Sequence, residues 1–170
     1  NVKIMALRAV PNGDENDKDV ALAIRYAVDN GANIINMSFG KYYSPHKKWV
    51  DDAVKYAESK GVLLVSAAGN NAKDVELEMH FPIDSIGSST VNNWIAVGAN
   101  SKDFGKEMAG YFSNYGHNTI DIFAPGVRIT SLAPDDLYSN ANGTSFACPA
   151  VSGVAALVWS YYPELTASEL

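Results

Sequence analysis

The sequence predicts an α/β fold, a parallel sheet flanked by helices. Short apolar runs of strand length alternate with longer stretches whose apolar residues recur at helical spacing, and glycines mark the helix ends. With 170 residues, 47% of them hydrophobic, the chain is long enough to bury roughly 70% of its extended surface, which suits one core. A single domain over residues 1–170 is therefore expected.

Residues 2–10 (VKIMALRAV) form a nearly unbroken apolar run, which predicts a strand covered on both faces. A helix is expected over 17–30, where Val20, Ile24, Ala27 and Val28 share a face and Gly31 provides the stop. Asp14, Asp17 and Asp19 cluster at its start, where capping and dipole effects account for them. Residues 33–37 read as a second strand. Trp49, Val50, Ala53, Val54 and Ala57 make the stripe of a second helix closed by Gly61, and 62–67 form a third strand. This order implies right-handed crossovers. After Asn70 a long polar segment intervenes. Strands are then expected at 94–99, 120–123 and 127–131, with a turn at Pro134-Asp135-Asp136 leading to Leu137-Tyr138. The most apolar helix runs over 145–161 and is stopped by Pro163. Thr166 and Glu169 have capping-box spacing.

Composition excludes several functions. Thirteen basic against nineteen acidic residues give a net charge of −6, which argues against a partner such as nucleic acid or an anionic membrane. No apolar run approaches the ~20 residues of a membrane span, so none is predicted. Cys148 is the only cysteine, ruling out an internal disulfide or a cysteine-pair metal site. The chain opens at Asn1 on an apolar run without an initiator Met or basic leader, and reads as a piece of something longer.

Chemistry in a parallel sheet collects at the carboxyl ends of strands. Three segments qualify: Asn36-Met37-Ser38-Phe39-Gly40, Ala67-Ala68-Gly69-Asn70-Asn71 and Asn142-Gly143-Thr144-Ser145. A serine opening an apolar helix is either a nucleophile favoured by the helix dipole or a plain cap, and spacing alone leaves both open. Chain order narrows the nucleophile reading. The three histidines, His46, His80 and His117, all precede Ser145, which excludes an α/β-hydrolase, and Ala147 breaks the G-x-S-x-G elbow. Neither a Rossmann nor a P-loop fingerprint occurs.

The segment Asn142-Gly143-Thr144-Ser145-Phe146-Ala147-Cys148-Pro149-Ala150-Val151-Ser152-Gly153 resembles the nucleophile segment of the subtilisin-like serine peptidases, the subtilases. Ile35-Asn36-Met37-Ser38-Phe39-Gly40, Ala67-Ala68-Gly69-Asn70 and Phe123-Ala124-Pro125-Gly126 match further segments of that family in the same order. The family typically has Met where Phe146 stands and often His at Ala150. The resemblance implies that Ser145 attacks the scissile carbonyl while the Asn70 side-chain amide and the Ser145 N–H receive the oxyanion. One such donor is worth about 10²- to 10³-fold in kcat, the magnitude established for subtilisin itself. It further implies that Ser38, Phe39 and Gly40 offer edge backbone to an extended peptide and that Ala67, Ala68 and Gly69 wall the specificity pocket. The proline at 149 belongs to the family pattern. His80-Phe81-Pro82 corresponds to an aromatic-proline pair, often cis, beside that pocket; His80 then stands near the pocket floor or, equally, on a surface loop.

The family's Asp and His motifs are absent from this chain, so the resemblance implies that both lie upstream and that the fold is incomplete, its N-terminal strands missing. A fragment of a serine endopeptidase, inactive alone, is expected. The alternative is a catalytically dead subtilase-like domain that binds peptides. Expected partners are a polypeptide substrate and the upstream half of the same domain. No cofactor and no metal ligands are identifiable, although calcium is possible in the complete protein, whose expected location is secreted or cell-surface. In the family the Asp-bearing strand lies between those matching 2–10 and 34–37. Residues 2–10 must then pair directly with 34–37, pair with another copy, or fray; self-association through that edge is the expectation.

Overall fold

The computed structural model describes residues 2–10, 12–103, 105 and 108–170. Helix α1 spans Asp17–Asp29 and opens on Asn16, whose side chain accepts from Lys18 N at 3.0 Å. Strand β1 (Ile34–Met37), helix α2 (Lys47–Ser59) and strand β2 (Leu63–Ala67) follow. A two-residue hairpin, β3 (Ser85–Ile86) and β4 (Ser89–Thr90), interrupts the polar segment read as irregular. Then come β5 (Trp94–Asn100), β6 (Ile122–Pro125), the antiparallel pair β7 (Ile129–Ala133) and β8 (Leu137–Ala141), and helix α3 (Thr144–Tyr161).

The main sheet has the order β1-β2-β5-β6 and is parallel throughout. Side chains on a strand alternate between faces, and β2 divides accordingly. Leu64 joins the α1 and α2 side with Val20, Ile24, Val50, Val54 and Met37. Leu63, Val65 and Ala67 join Ala147, Cys148, Val151 and Ala155 of α3 on the other. All five β2 residues are buried, which explains the unbroken apolar reading of this strand. The register places Met37 opposite Ser66 and Ala67 opposite Val97. The segments leaving β1 and β2 therefore emerge side by side at the carboxyl end of the sheet.

Three expectations are corrected. Residues 2–10 form no strand; Val2 is 70% and Ile4 92% exposed. An apolar run becomes a strand only where a ladder partner exists, and β1 pairs with β2 alone, so direct pairing of 2–10 with β1 is overturned. Strands expected at 120–123 and 127–131 begin two residues later, and the second forms a hairpin outside the main sheet, with Asp135 and Asp136 at φ 61° and 58°. Short polar side chains tolerate that left-handed backbone. Finally, α3 is by length and composition apolar enough to cross a membrane, which the run-length criterion had not registered. It lies instead across β1, β2, β5 and β6, with an apolar outer side at Val154, Leu157 and Tyr161 left exposed. Near the C-terminus only half of the capping box forms: the Glu169 carboxylate accepts from Thr166 N and Oγ1 at 2.8 and 2.7 Å.

Asp17 does more than start a helix. Buried to 3% exposure, it accepts from Lys41 Nζ at 2.7 Å, Ser44 Oγ at 2.8 Å and His46 N at 2.8 Å. Lys41 also donates to the Glu15 carbonyl at 2.6 Å. The loop after Gly40 is thereby pinned to the start of α1. Burial alone would raise the Asp17 carboxyl, but the Lys41 ammonium and the His46 and Ser44 donors hold it below its ordinary value. A carboxyl depressed on folding stabilises the fold above its unfolded pKa, about 3.9, and that contribution is lost as pH falls through the folded value. Asp17→Ala leaves the Lys41 ammonium with the Glu15 carbonyl but no counter-charge, and is expected to cost about 3–5 kcal/mol at pH 7 in urea denaturation. The difference from the parent chain should shrink below about pH 4; a difference independent of pH would contradict this role.

Candidate active site

Helix α3 begins with an orphan problem, since its first N–H groups have no intrahelical acceptor. Gly143 stands at the N-cap with no side chain to offer, and Thr144 and Ser145 are already helical, so neither is a plain cap. The cap comes from across the fold. Asn70 Oδ1 accepts from Thr144 N at 2.8 Å and from Thr144 Oγ1 at 3.1 Å, although the residues are 74 apart in sequence. Thr144 Oγ1 in turn accepts from Gly69 N at 3.1 Å. With its oxygen so engaged, the Asn70 amide must turn its Nδ2 the other way. Fully buried Thr144 is thus a positioning residue that the motif comparison passed over.

The freed donor has a companion. A Cβ built on Gly143 would lie 3.7 Å from Asn70 Nδ2 and 3.6 Å from Ser145 N. Two donor nitrogens thus border the place a Gly143 side chain would take, with Phe146 Cδ2 3.6 Å from the same point. Gly143 itself has φ 156° and donates to the Gly126 carbonyl at 2.9 Å. A Cβ on Gly126 would come within 2.8 Å of the Gly143 carbonyl oxygen, so the Phe123-Ala124-Pro125-Gly126 segment seats the turn by close backbone approach.

Ser145 Oγ donates to the Ser38 carbonyl at 2.9 Å. Asn36 reinforces this contact: its Nδ2 donates to Ser38 Oγ at 2.8 Å, and its Oδ1 accepts from Ser152 Oγ at 3.0 Å. The Ser38-Phe39-Gly40 segment is thus stitched to α3 at two points one helical stretch apart. Pro149 lacks the N–H that would bond the Ser145 carbonyl, and α3 continues through it. Cys148, directly inside, donates Sγ to the Val65 carbonyl at 3.3 Å, and burial pushes its thiol up to about 12. It is a protonated core group, not a nucleophile.

The loop bearing Asn70 hangs on a second residue missed in the sequence. Asn114 is fully buried and uses every polar site: Nδ2 donates to the Ala68 carbonyl at 2.7 Å and to Tyr42 Oη at 2.8 Å, and Oδ1 accepts from Asn71 N at 3.0 Å and Lys73 N at 3.1 Å. Its own N–H donates to the Gly69 carbonyl at 2.9 Å. Nothing in a polar turn advertises such a hub; only the three-dimensional pairing reveals it.

No histidine is hydrogen-bonded to Ser145 among the described residues. His46 stacks on Trp49 with centroids 4.2 Å apart, and His80 lies between Gly40 and Gly69 beside a cis Phe81-Pro82 bond. The His80 ring thus packs against both strand-end segments, at Gly40 and Gly69. Ser145, Asn70, residues 38–40 and residues 67–69 are brought together at the carboxyl end of the sheet.

A serine in the first turn of a core helix, two nearby nitrogen donors and two adjacent strand ends are gathered at the carboxyl end of a parallel α/β sheet. Comparison with known proteins gives the family. The subtilase family profile matches residues 1–170, and the chain belongs to that family. It is 40% identical over 161 residues to a thermophilic serine proteinase of Bacillus sp. (strain AK1), covering 94% of this chain and 36% of that protein. To subtilisin DY of Bacillus licheniformis it is 34% identical, covering 100% of this chain and 58% of that one. A cold-adapted subtilisin-like serine proteinase superposes with a TM-score of 0.77 at 31% identity over 93% of this chain and 53% of its own. Sphericase gives a TM-score of 0.75 at 31% identity, with 92% and 54% covered. The chain spans about a third to three fifths of the length of these relatives.

Asn114→Ala should cost about 2–5 kcal/mol, because it strands several buried polar groups at once. Urea denaturation measures the loss, and hydrogen exchange should show faster amides at Asn71 and Lys73. Unchanged exchange at those two sites would contradict the role of Asn114 as the loop's anchor.

Proposed function

We propose that this chain is the nucleophile-bearing part of a serine endopeptidase domain, with the Asp and His of the triad supplied by an upstream segment of the same protein. The convergence of Asn70 Nδ2 and Ser145 N on the space beside Gly143 carries this reading. In the proposed reaction Ser145 Oγ attacks the scissile carbonyl, its proton passes to the upstream histidine, and the carbonyl oxygen becomes an oxyanion received by those two donors. Collapse of the tetrahedral species expels the amine, protonated by the same histidine, and leaves an acyl-enzyme that water hydrolyses. Ser38, Phe39 and Gly40 on one side and Ala67, Ala68 and Gly69 on the other hold the peptide as an added strand. Calcium, which the family resemblance allows in the complete protein, enters no step here.

Several features support an active enzyme over a peptide-binding relic. A binding module has no evident use for Asn70 Nδ2 and Ser145 N, the latter on the residue that carries the serine hydroxyl, bordering one point next to Gly143. Relatives named as proteinases and subtilisins agree with it. A polypeptide substrate follows, and a secreted or cell-surface location suits such a peptidase. The exposed residues 2–8 and the bare outer side of α3 are the surfaces that the upstream half would cover; without it, a second copy of the chain is the alternative occupant.

In the full-length protein Ser145→Ala should abolish labelling by a fluorophosphonate probe. Asn70→Ala should lower kcat about 10²- to 10³-fold with little change in KM, since the oxyanion exists only in the transition state. The 170-residue chain alone, lacking a base for Ser145, should take up no probe. A rise in KM with kcat unchanged in Asn70→Ala would sink the oxyanion assignment, and a full-length protein inert to probe and peptides would leave the binding module as the answer.

A further inference from the structure

Whatever stands between the ends of β1 and β2 decides which side chain of a bound peptide fits there. Both walls carry glycine at that point, Gly40 and Gly69, and the space between them is taken by the imidazole of His80. A Cβ on Gly40 would overlap His80 Cε1 and fall 2.8 Å from both ring nitrogens; one on Gly69 would fall 2.9 Å from Nε2. The ring therefore touches both walls at once.

It is also held there. Lys41 N donates to the Phe81 carbonyl at 3.0 Å, and Phe81 N donates to the Lys41 carbonyl at 2.7 Å, so the residues next to Gly40 and His80 are bridged in both directions. Tyr42 meets the His80 ring edge-on with centroids 5.1 Å apart. The Tyr42 hydroxyl is itself fixed between Asn114 Nδ2 and Asn71 Oδ1. Burial holds the imidazole down at about 4, against a smaller opposing pull from the Gly40 backbone. At neutral pH the ring is uncharged, so it fills volume without offering a positive charge to an acidic side chain.

We propose that His80 determines specificity by closing the pocket between residues 38–40 and 67–69, so that the substrate residue preceding the scissile bond is glycine, alanine or serine. The proposal rests on the peptidase reading and deepens it. A filled pocket excludes large side chains by steric overlap, whereas the small ones need no room beyond the walls. Opening it restores apolar burial for a large side chain, and since one methylene is worth about 10- to 200-fold in kcat/KM, an aromatic ring should gain at least about 100-fold.

The test is a cleavage profile of the full-length protein on a mixed peptide library read by mass spectrometry, alongside His80→Gly and His80→Ala. The parent enzyme is expected to cut after small residues only. In the variants the ratio of kcat/KM for phenylalanine over alanine should rise about 100-fold. A parent enzyme that already cuts after phenylalanine, leucine or an acidic residue overturns the proposal without any variant, as does a folded His80→Gly enzyme with an unchanged ratio. A protein that cleaves nothing and takes up no fluorophosphonate removes the peptidase reading, and this proposal with it; an active enzyme of the wrong preference removes this proposal alone.

Discussion

The bonds between Asn70 Oδ1 and Thr144 fix the relation of the two halves of the site. The end of β2 and the start of α3 come from distant parts of the chain, and each brings an unsatisfied group: a loop asparagine and a helix N-terminus. One contact satisfies both. It consumes the acceptor of the Asn70 amide and so decides where its donor points. The proposed chemistry uses that orientation, because a donor aimed before a reaction begins needs no reorganisation as charge develops.

Around this contact the packing leaves little freedom. Gly69 has φ 99°, and a Cβ there would run into Asn114 and His80. Gly126 and Gly143 meet backbone to backbone. The Asn36–Ser152 and Ser38–Ser145 bonds tie the third segment to the same helix. Three strand ends are thus referenced to α3, which is why motifs scattered over more than a hundred residues assemble within a few ångströms. At the far side, Asp17 and Lys41 hold the outgoing loop to α1.

Much of this was legible in the sequence because it rests on local rules. The 3.6-residue period of Val20, Ile24, Ala27 and Val28, and the full burial of β2, are written in residue order. So are the motifs carrying Ser145 and Asn70. What stayed hidden depends on partners. Residues 2–10 have the composition of a buried strand, but composition cannot supply a ladder. Thr144 and Asn114 look like ordinary turn or cap residues, and their roles exist only through contacts 40 to 75 positions away. Asp17 looked like a dipole residue, while its partners sit in the next loop. His80 was ambiguous for a related reason: a histidine in a polar stretch gives no sign that two glycines elsewhere have left room for its ring.

The central claim is that Asn70, held by Thr144, presents Nδ2 to the oxygen that turns negative during acyl transfer. The most direct measurement is a crystal structure of the full-length protein with Ser145 covalently phosphonylated. The account predicts one phosphoryl oxygen beside Gly143, about 2.7–3.1 Å from both Asn70 Nδ2 and Ser145 N, with Asn70 Oδ1 still on Thr144. An Asn70 amide turned the other way, or an oxygen bound by other donors, would contradict it.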